Sequence, residues 1–246
     1  MAFSFLPAAQ SWLLAGCGQS MLVMADSLAL AKGLVRLGYR VVTVDRDMTK
    51  LRGATGSMSI GAAVAHADAL PFDYGRFDAV FIHQVFPDIK PEAALPELAR
   101  VLKPGGRLLV SHLGRDDTVP WVQRLATLVR TVDPTAMTSP SVDEALAGLK
   151  DTKHFTGTET RRFRYWQPIN REGLTSMVSA VPAVAAMDEK QRRHLLDEAT
   201  AIHDQSAGYQ QLRLPYLLQC WRGVVDIDSI TNPIRRDATA ALSIQL

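Results

Sequence analysis

Through the first half of the chain, short uniformly apolar runs alternate with stretches whose apolar residues recur every three or four positions. The runs are Trp12-Leu13-Leu14-Ala15, Val41-Val42-Thr43-Val44, Asp78-Ala79-Val80-Phe81-Ile82 and Arg107-Leu108-Leu109-Val110-Ser111. Each has the length and composition of a strand buried on both faces. Between the first two, Leu28, Ala31, Leu34, Val35 and Leu37 fall at helical spacing, and Gly38 closes that helix. Residues 91–102 repeat the helical pattern until Pro104-Gly105-Gly106 breaks it. Strand and helix in strict alternation predict an α/β fold, a doubly wound, mostly parallel sheet with helices on both faces.

The second half changes character. Residues 119–132, 141–149, 171–187 and 189–205 have helical periodicity, while Thr160-Arg161-Arg162-Phe163-Arg164-Tyr165-Trp166 and the segment from Arg213 to Trp221 read as late strands. Helices inserted between late strands of such a sheet cover the crevice at the strands' carboxyl ends, which makes residues 116–211 a candidate substrate lid. No internal repeat or low-complexity linker divides the 246 residues, so a single domain is expected.

Composition narrows the partners. Twenty-seven basic against 25 acidic residues leave a formal charge of +2, with no general electrostatic footprint for nucleic acid or an anionic membrane. Asp26, Lys32 and Arg36 interrupt the most apolar stretch, residues 21–37, so no membrane span is expected. The apolar start lacks a basic n-region, and no cleaved leader is expected. Cys17 and Cys220 are too few for a disulfide framework and lack metal-site spacing. Together these features point to a cytoplasmic protein without a bound metal. Oligomeric state is left open.

The most specific stretch is Ala69-Leu70-Pro71-Phe72, then Arg76-Phe77-Asp78-Ala79-Val80, then Leu98-Ala99-Arg100-Val101-Leu102-Lys103-Pro104-Gly105-Gly106-Arg107-Leu108-Leu109-Val110. In order and spacing it resembles the "LPF…FDxV…ElxRvLkPGGxl" run of class I S-adenosylmethionine-dependent methyltransferases, small-molecule branch, of the type 11 kind. A looser resemblance covers Arg161, Phe163, Trp166 and Leu214-Pro215-Tyr216, leaving about the last two dozen residues unassigned. The likeness implies a Rossmann-like sheet of seven strands with helical lid insertions. It further implies a cofactor-binding core over about residues 11–115, S-adenosyl-L-methionine as cofactor and a small-molecule acceptor.

In that family the first strand ends in an acid and a glycine-rich turn. Trp12-Leu13-Leu14-Ala15-Gly16-Cys17-Gly18-Gln19-Ser20 aligns with it, with Leu14 in place of the acid and Ser20 in place of the last glycine. This register makes Gly16, Cys17 and Gly18 the cofactor turn, since glycines let backbone approach a ligand. Its spacing to Asp45 is several residues too long, which a lengthened helix would absorb. A second register, Met21-Leu22-Val23-Met24 followed by Ala25-Asp26-Ser27, restores the spacing but has no glycine. The first is preferred because its adjacent glycines have a mechanical reason.

Other assignments follow the same plan. Asp45, with Arg46 beside it, ends the second strand, where an acid accepts hydrogen bonds from ribose hydroxyls; alternatively Asp45 caps the helix starting near Met48. His66, Ala67 and Asp68 stand on the adenine side, with His66 in the place of the family's usual aspartate; a plain polar surface loop is the alternative. His83 follows the fourth strand as a candidate for both cofactor contact and proton acceptance, although in-line positioning alone suffices for methyl transfer. His112, Trp121, Arg162 and Arg164 are candidate acceptor-binding residues, the arginines suiting a carboxylate or phosphate. Ordinary packing or an exposed sheet face explains the same residues. The expected function is O- or N-methylation of a small molecule. The rival is a non-catalytic member of the fold with weakened or lost cofactor binding, favoured by Leu14, Ser20 and His66.

Overall fold

The computed structural model describes residues 6–55, 60–137, 142–150, 152–207 and 211–228. The apolar start up to residue 5, the first residue of the 141–149 helix and the unassigned tail from residue 229 lie outside them.

The strands are β1 Ser20–Ala25, β2 Arg40–Asp45, β3 Ile60–Val64, β4 Phe77–His83, β5 Leu102–Arg115, β6 Phe155–Pro168 and β7 Arg213–Val225. They form one seven-stranded sheet in the order β3-β2-β1-β4-β5-β7-β6, mostly parallel with one antiparallel hairpin. The parallel pairs β2/β3, β1/β2, β1/β4 and β4/β5 make up its first part. Met21, Leu22 and Val23 on β1 and Val80 and Ile82 on β4 are wholly buried, as their uniform hydrophobicity requires. Strand order reverses direction between β1 and β4, and that switch point opens a crevice at the strands' carboxyl ends.

The helices are α1 Pro7–Leu14, α2 Ala29–Arg36, α3 Met48–Thr55, α4 Pro91–Val101, α5 Pro120–Arg130, α6 Val142–Ala145, α7 Arg171–Ser179, α8 Pro182–Ala185 and α9 Glu189–Ala207. The preferred first strand is corrected here: Trp12-Leu13-Leu14 belongs to α1, and β1 is the second register. Ala9, Trp12 and Leu13 bury one face at helical spacing behind Pro7 at the first turn. Gly16 stops that helix with φ +75°, as Cys17 N–H bonds Leu14 O at 3.1 Å.

Two compact units divide the chain. The first takes in the described residues up to His112, Ala145–Arg161 and those from Cys220 on. Its core gathers Leu22, Val80, Ile82, Leu98, Leu108 and Trp221. The second comprises Leu113–Glu144 and Arg162–Gln219, where α5, α7, α8 and α9 close over Trp121, Leu125, Leu174 and Ala199. No described helix is long and apolar enough to cross a membrane.

Candidate active site

A cleft of about 320 Å³ lies at the carboxyl ends of β1, β2 and β3 within the first unit. Met24 and Ala25 end β1, Val44 and Asp45 end β2, and Ala65 to Asp68 follow β3; Val85, Ile89 and Ala94 supply the apolar wall. Its volume is at the lower end of the range for small-molecule pockets.

Asp45 is fixed by its neighbours. Its Oδ1 accepts the Asp47 N–H at 2.8 Å, Lys50 Nζ stands 3.5 Å from Oδ2, and its backbone carbonyl accepts Ala65 N–H at 3.2 Å. Helix capping falls to Asp47, whose Oδ1 accepts the Thr49 N–H at 2.8 Å and its hydroxyl at 2.7 Å. Those bonds hold the Asp47 carboxyl below its ordinary pKa. Asp45 is thereby left facing the cleft at the strand position suited to a ribose.

His66, Ala67 and Asp68 form the opposite wall, in a tight turn closed by Ala69 N–H on His66 O at 3.1 Å. The turn continues into Leu70-Pro71-Phe72, which α4 grips from behind. Leu70 N–H donates to Glu97 Oε1 at 2.7 Å, and Arg100 donates to Phe72 O at 2.8 Å and Leu70 O at 3.1 Å. Glu97 and Arg100 are functional candidates that the sequence reading left without a role. They stand in the "ElxR" part of the motif, which was the available signal.

His83 ends β4 only 7% exposed, and its Nδ1 is 2.9 Å from Ser111 Oγ. Burial pulls its pKa down to about 4, against the opposing charge of Asp26 and with a further lowering from His112. The next residue, Gln84, has φ 68°, a left-handed conformation that a non-glycine residue adopts at a cost. His112, at the same end of β5, is 8% exposed; burial lowers its pKa too, and its Nδ1 has no hydrogen-bond partner among the described residues. Two buried imidazoles with lowered pKa thus stand at the end of β4 and in the adjoining part of β5, although neither lines the cleft itself.

The Gly16-Cys17-Gly18 turn is not part of this site, and its assignment as the cofactor turn is corrected. It precedes β1 and so lies at the amino end of the sheet. A Cβ on Gly18 would come 2.5 Å from Asp78 Cγ at the start of β4. Asp78 in turn accepts Ser20 N–H at 2.8 Å, Ser20 Oγ–H at 2.6 Å and Lys103 Nζ at 2.8 Å. The glycine exists for close packing against this latch. Cys17 is a partly buried thiol pushed up to about 11 by burial, with Sγ 3.7 Å from Leu13 O. Residues that follow β1 are instead Asp26, Ser27 and Leu28, without a glycine.

Trp121, Arg162 and Arg164 belong to the second unit. Trp121 packs in that unit's core. Arg162 ion-pairs with Asp143 and donates Nε to Gln219 Oε1 at 3.3 Å, while Arg164 is exposed on β6. Among the described residues no group of three or more His, Cys, Asp or Glu side chains is placed to hold a metal.

Fold and cleft together define an α/β protein with a candidate small-molecule site at the carboxyl ends of its first strands. Residues 13–110 match the family model described as "Methyltransferase domain". An uncharacterized methyltransferase of Mycobacterium tuberculosis is 28% identical over 231 residues, 90% of each chain. A demethylmenaquinone methyltransferase of Clavibacter sepedonicus is 35% identical over 121 residues, 46% of this chain and 43% of its own. Among solved structures, a putative type II methyltransferase from Anaeromyxobacter dehalogenans superposes with a TM-score of 0.66 at 18% identity, covering 92% of this chain and 99% of that one. These likenesses support a class I S-adenosylmethionine-dependent methyltransferase. S-adenosyl-L-methionine is the cofactor that this likeness implies.

The residues present fit the nucleoside half of that cofactor. An acid at the end of β2, a polar turn after β3 and apolar side chains from Val85, Ile89 and Ala94 share one cleft. For the amino-acid half, the tip of β1 offers the carboxylate of Asp26 where family members present glycine backbone.

Proposed function

We propose that the protein binds S-adenosyl-L-methionine with its adenosyl half in the cleft and methylates oxygen or nitrogen of a small molecule. The observation that carries this reading is the convergence of Asp45 with His66, Ala67 and Asp68 in one cleft at the carboxyl ends of β2 and β3. Asp45 would accept the ribose hydroxyls, with Arg46 alongside, and the 66–68 turn would face the adenine. When bound, the cofactor supplies a methyl group activated by its sulfonium. His83, held neutral by burial and oriented through Ser111, offers a lone pair to the proton leaving the acceptor. A base whose pKa is about 4 is weak, so in-line positioning is the larger part of the rate. His112, with its unpartnered Nδ1, is the proposed acceptor-binding group of the first unit. Residues 116–211 are the proposed lid segment, with Trp121, Arg162 and Arg164 as its candidate contacts. Relatives with quinone names support a small acceptor, and the free thiols Cys17 and Cys220 suit a cytoplasmic setting.

One observation favours the non-catalytic rival: the turn after β1 carries Asp26 and no glycine. The two readings separate on incubation of the purified chain with the cofactor and a panel of hydroxy and amino compounds. Formation of S-adenosylhomocysteine with a methylated product supports the enzyme. Saturable binding without product, or neither binding nor product at millimolar cofactor in a well-folded sample, defeats the enzyme and supports the rival.

A further inference from the structure

The wall of the cleft formed by His66, Ala67 and Asp68 is a short span pinned at two ends. At its start Ala65 N–H is tied to the carbonyl of Asp45 at 3.2 Å. At its end Leu70 is held by both of its backbone groups, the N–H on Glu97 Oε1 at 2.7 Å and the carbonyl by Arg100 Nη2 at 3.1 Å. A third backbone bond, Arg100 Nη1 to Phe72 O at 2.8 Å, fixes the exit. Arg100 is itself locked to Glu97 by Nε to Oε2 at 2.7 Å and Nη2 to Oε1 at 2.8 Å. Glu97 and Arg100 are one turn apart on α4, and neither lines the cleft.

Attachment of this segment to the domain does not need that pair. Leu70 is buried in the apolar core, and Phe72 packs edge-on against Phe77 with ring centroids 5.0 Å apart. A partly exposed ion pair adds little net stability beside such burial. What five directional bonds add is orientation, because they fix where the backbone of the preceding turn points.

We propose that Glu97 and Arg100 are positioning residues for nucleoside recognition, setting the backbone of residues 66–68 and hence the affinity of the cleft without touching the ligand. The proposal rests on the reading of the cleft as an adenosyl site. Its test is titration of the full-length chain with adenosine and with S-adenosylhomocysteine well below the unfolding temperature, for wild type, Arg100→Met, Arg100→Lys and Glu97→Gln. Arg100→Met is expected to weaken both ligands by the same factor, about tenfold, the scale of lost bonds to a charged group. Arg100→Lys, which keeps the charge but not the fork, recovers part of the loss, and amide exchange at residues 66–70 quickens in step. Should Arg100→Met fail to fold, Glu97→Gln, which keeps an oxygen for Leu70 N–H, carries the test with a several-fold loss. Variants with a lowered Tm and wild-type affinity would overturn the proposal while leaving the cleft's reading intact, as would a loss confined to S-adenosylhomocysteine. Wild type that binds neither ligand defeats the reading itself.

Discussion

Replacing Gly18 by alanine separates the two accounts of the glycine turn. The added Cβ would lie 2.5 Å from Asp78 Cγ, 2.7 Å from its Cβ and 2.9 Å from Oδ2, distances that side chains do not adopt. Because Asp78 Cβ sits next to the backbone, rotating the carboxylate alone does not relieve the contact, and β1 or β4 must shift. Either way the bonds from Ser20 N–H, Ser20 Oγ and Lys103 Nζ are lost or stretched. A hydrogen bond to a charged group is worth about 1.5–3 kcal/mol. The lysine is 41% exposed, so its part is discounted to under about 1 kcal/mol. Reduced freedom of the unfolded chain returns about 0.4–1 kcal/mol. With both Ser20 bonds lost a net destabilisation of about 2–6 kcal/mol follows, or upward of roughly 5 °C in Tm for a chain of this size. Thermal unfolding of Gly18→Ala measures it, and Asp78→Gly in the same chain should restore part of the loss through a double-mutant cycle. Affinity for S-adenosylhomocysteine should not change in the folded fraction, since the length of β1, roughly 20 Å at ~3.3 Å per residue, separates Gly18 from the cleft. An unchanged Tm with weakened ligand binding would refute this reasoning and return the turn to the cofactor site.

Asp45→Ala leaves the fold intact and weakens S-adenosylhomocysteine by about 1–3 kcal/mol in calorimetric titration, the cost of ribose donors left without an acceptor; equal affinity would remove Asp45 from the site. For His83 the pKa in the folded chain is about 4, below its ordinary 6.5, so its neutral form contributes stability above 6.5 that is lost as pH falls toward 4. Denaturant unfolding of wild type should therefore show a loss of about 2–3 kcal/mol over that interval which a folded His83→Gln variant lacks, and parallel curves for the two proteins would contradict the burial argument.

Strands β2, β4 and β5 were legible because a strand buried on both faces must be apolar throughout, and nothing else of that length competes with them locally. The start of the sheet was not, because two apolar runs, Trp12-Leu13-Leu14-Ala15 and Met21-Leu22-Val23-Met24, stand a few residues apart. Four residues do not distinguish strand from helix by periodicity. The deciding features were Pro7 at the helix start and the longer Ala9, Trp12, Leu13 spacing, together with the distance to Asp45, which favoured the second run. Glycines after Ala15 misled because a helix stop and a ligand turn use the same residue for the same positive φ. Edge strand β3, Ile60–Val64, was missed since Gly61, Ala62 and Ala63 give it little hydrophobic signature. Among the cleft residues, Asp45 was legible from its place at the end of β2, and the 66–68 turn from its spacing to the Leu70-Pro71-Phe72 motif of the resemblance. The roles of Ser111 and Asp78 depend on partners 25 to 58 positions away in sequence, as in Lys103 with Asp78 or Ser20 with Asp78, and no local pattern reports them.

The central claim is that the cofactor site lies at the carboxyl ends of β1, β2 and β3 around Asp45. Titration of the isotopically labelled chain with S-adenosylhomocysteine, followed by amide chemical shifts, tests it most directly. The account predicts saturable shifts at Ala25, Asp45, Arg46, His66 and Ala67, with Cys17 and Gly18 unmoved. Shifts centred on Gly16 to Gly18, or none anywhere at millimolar ligand, would contradict it.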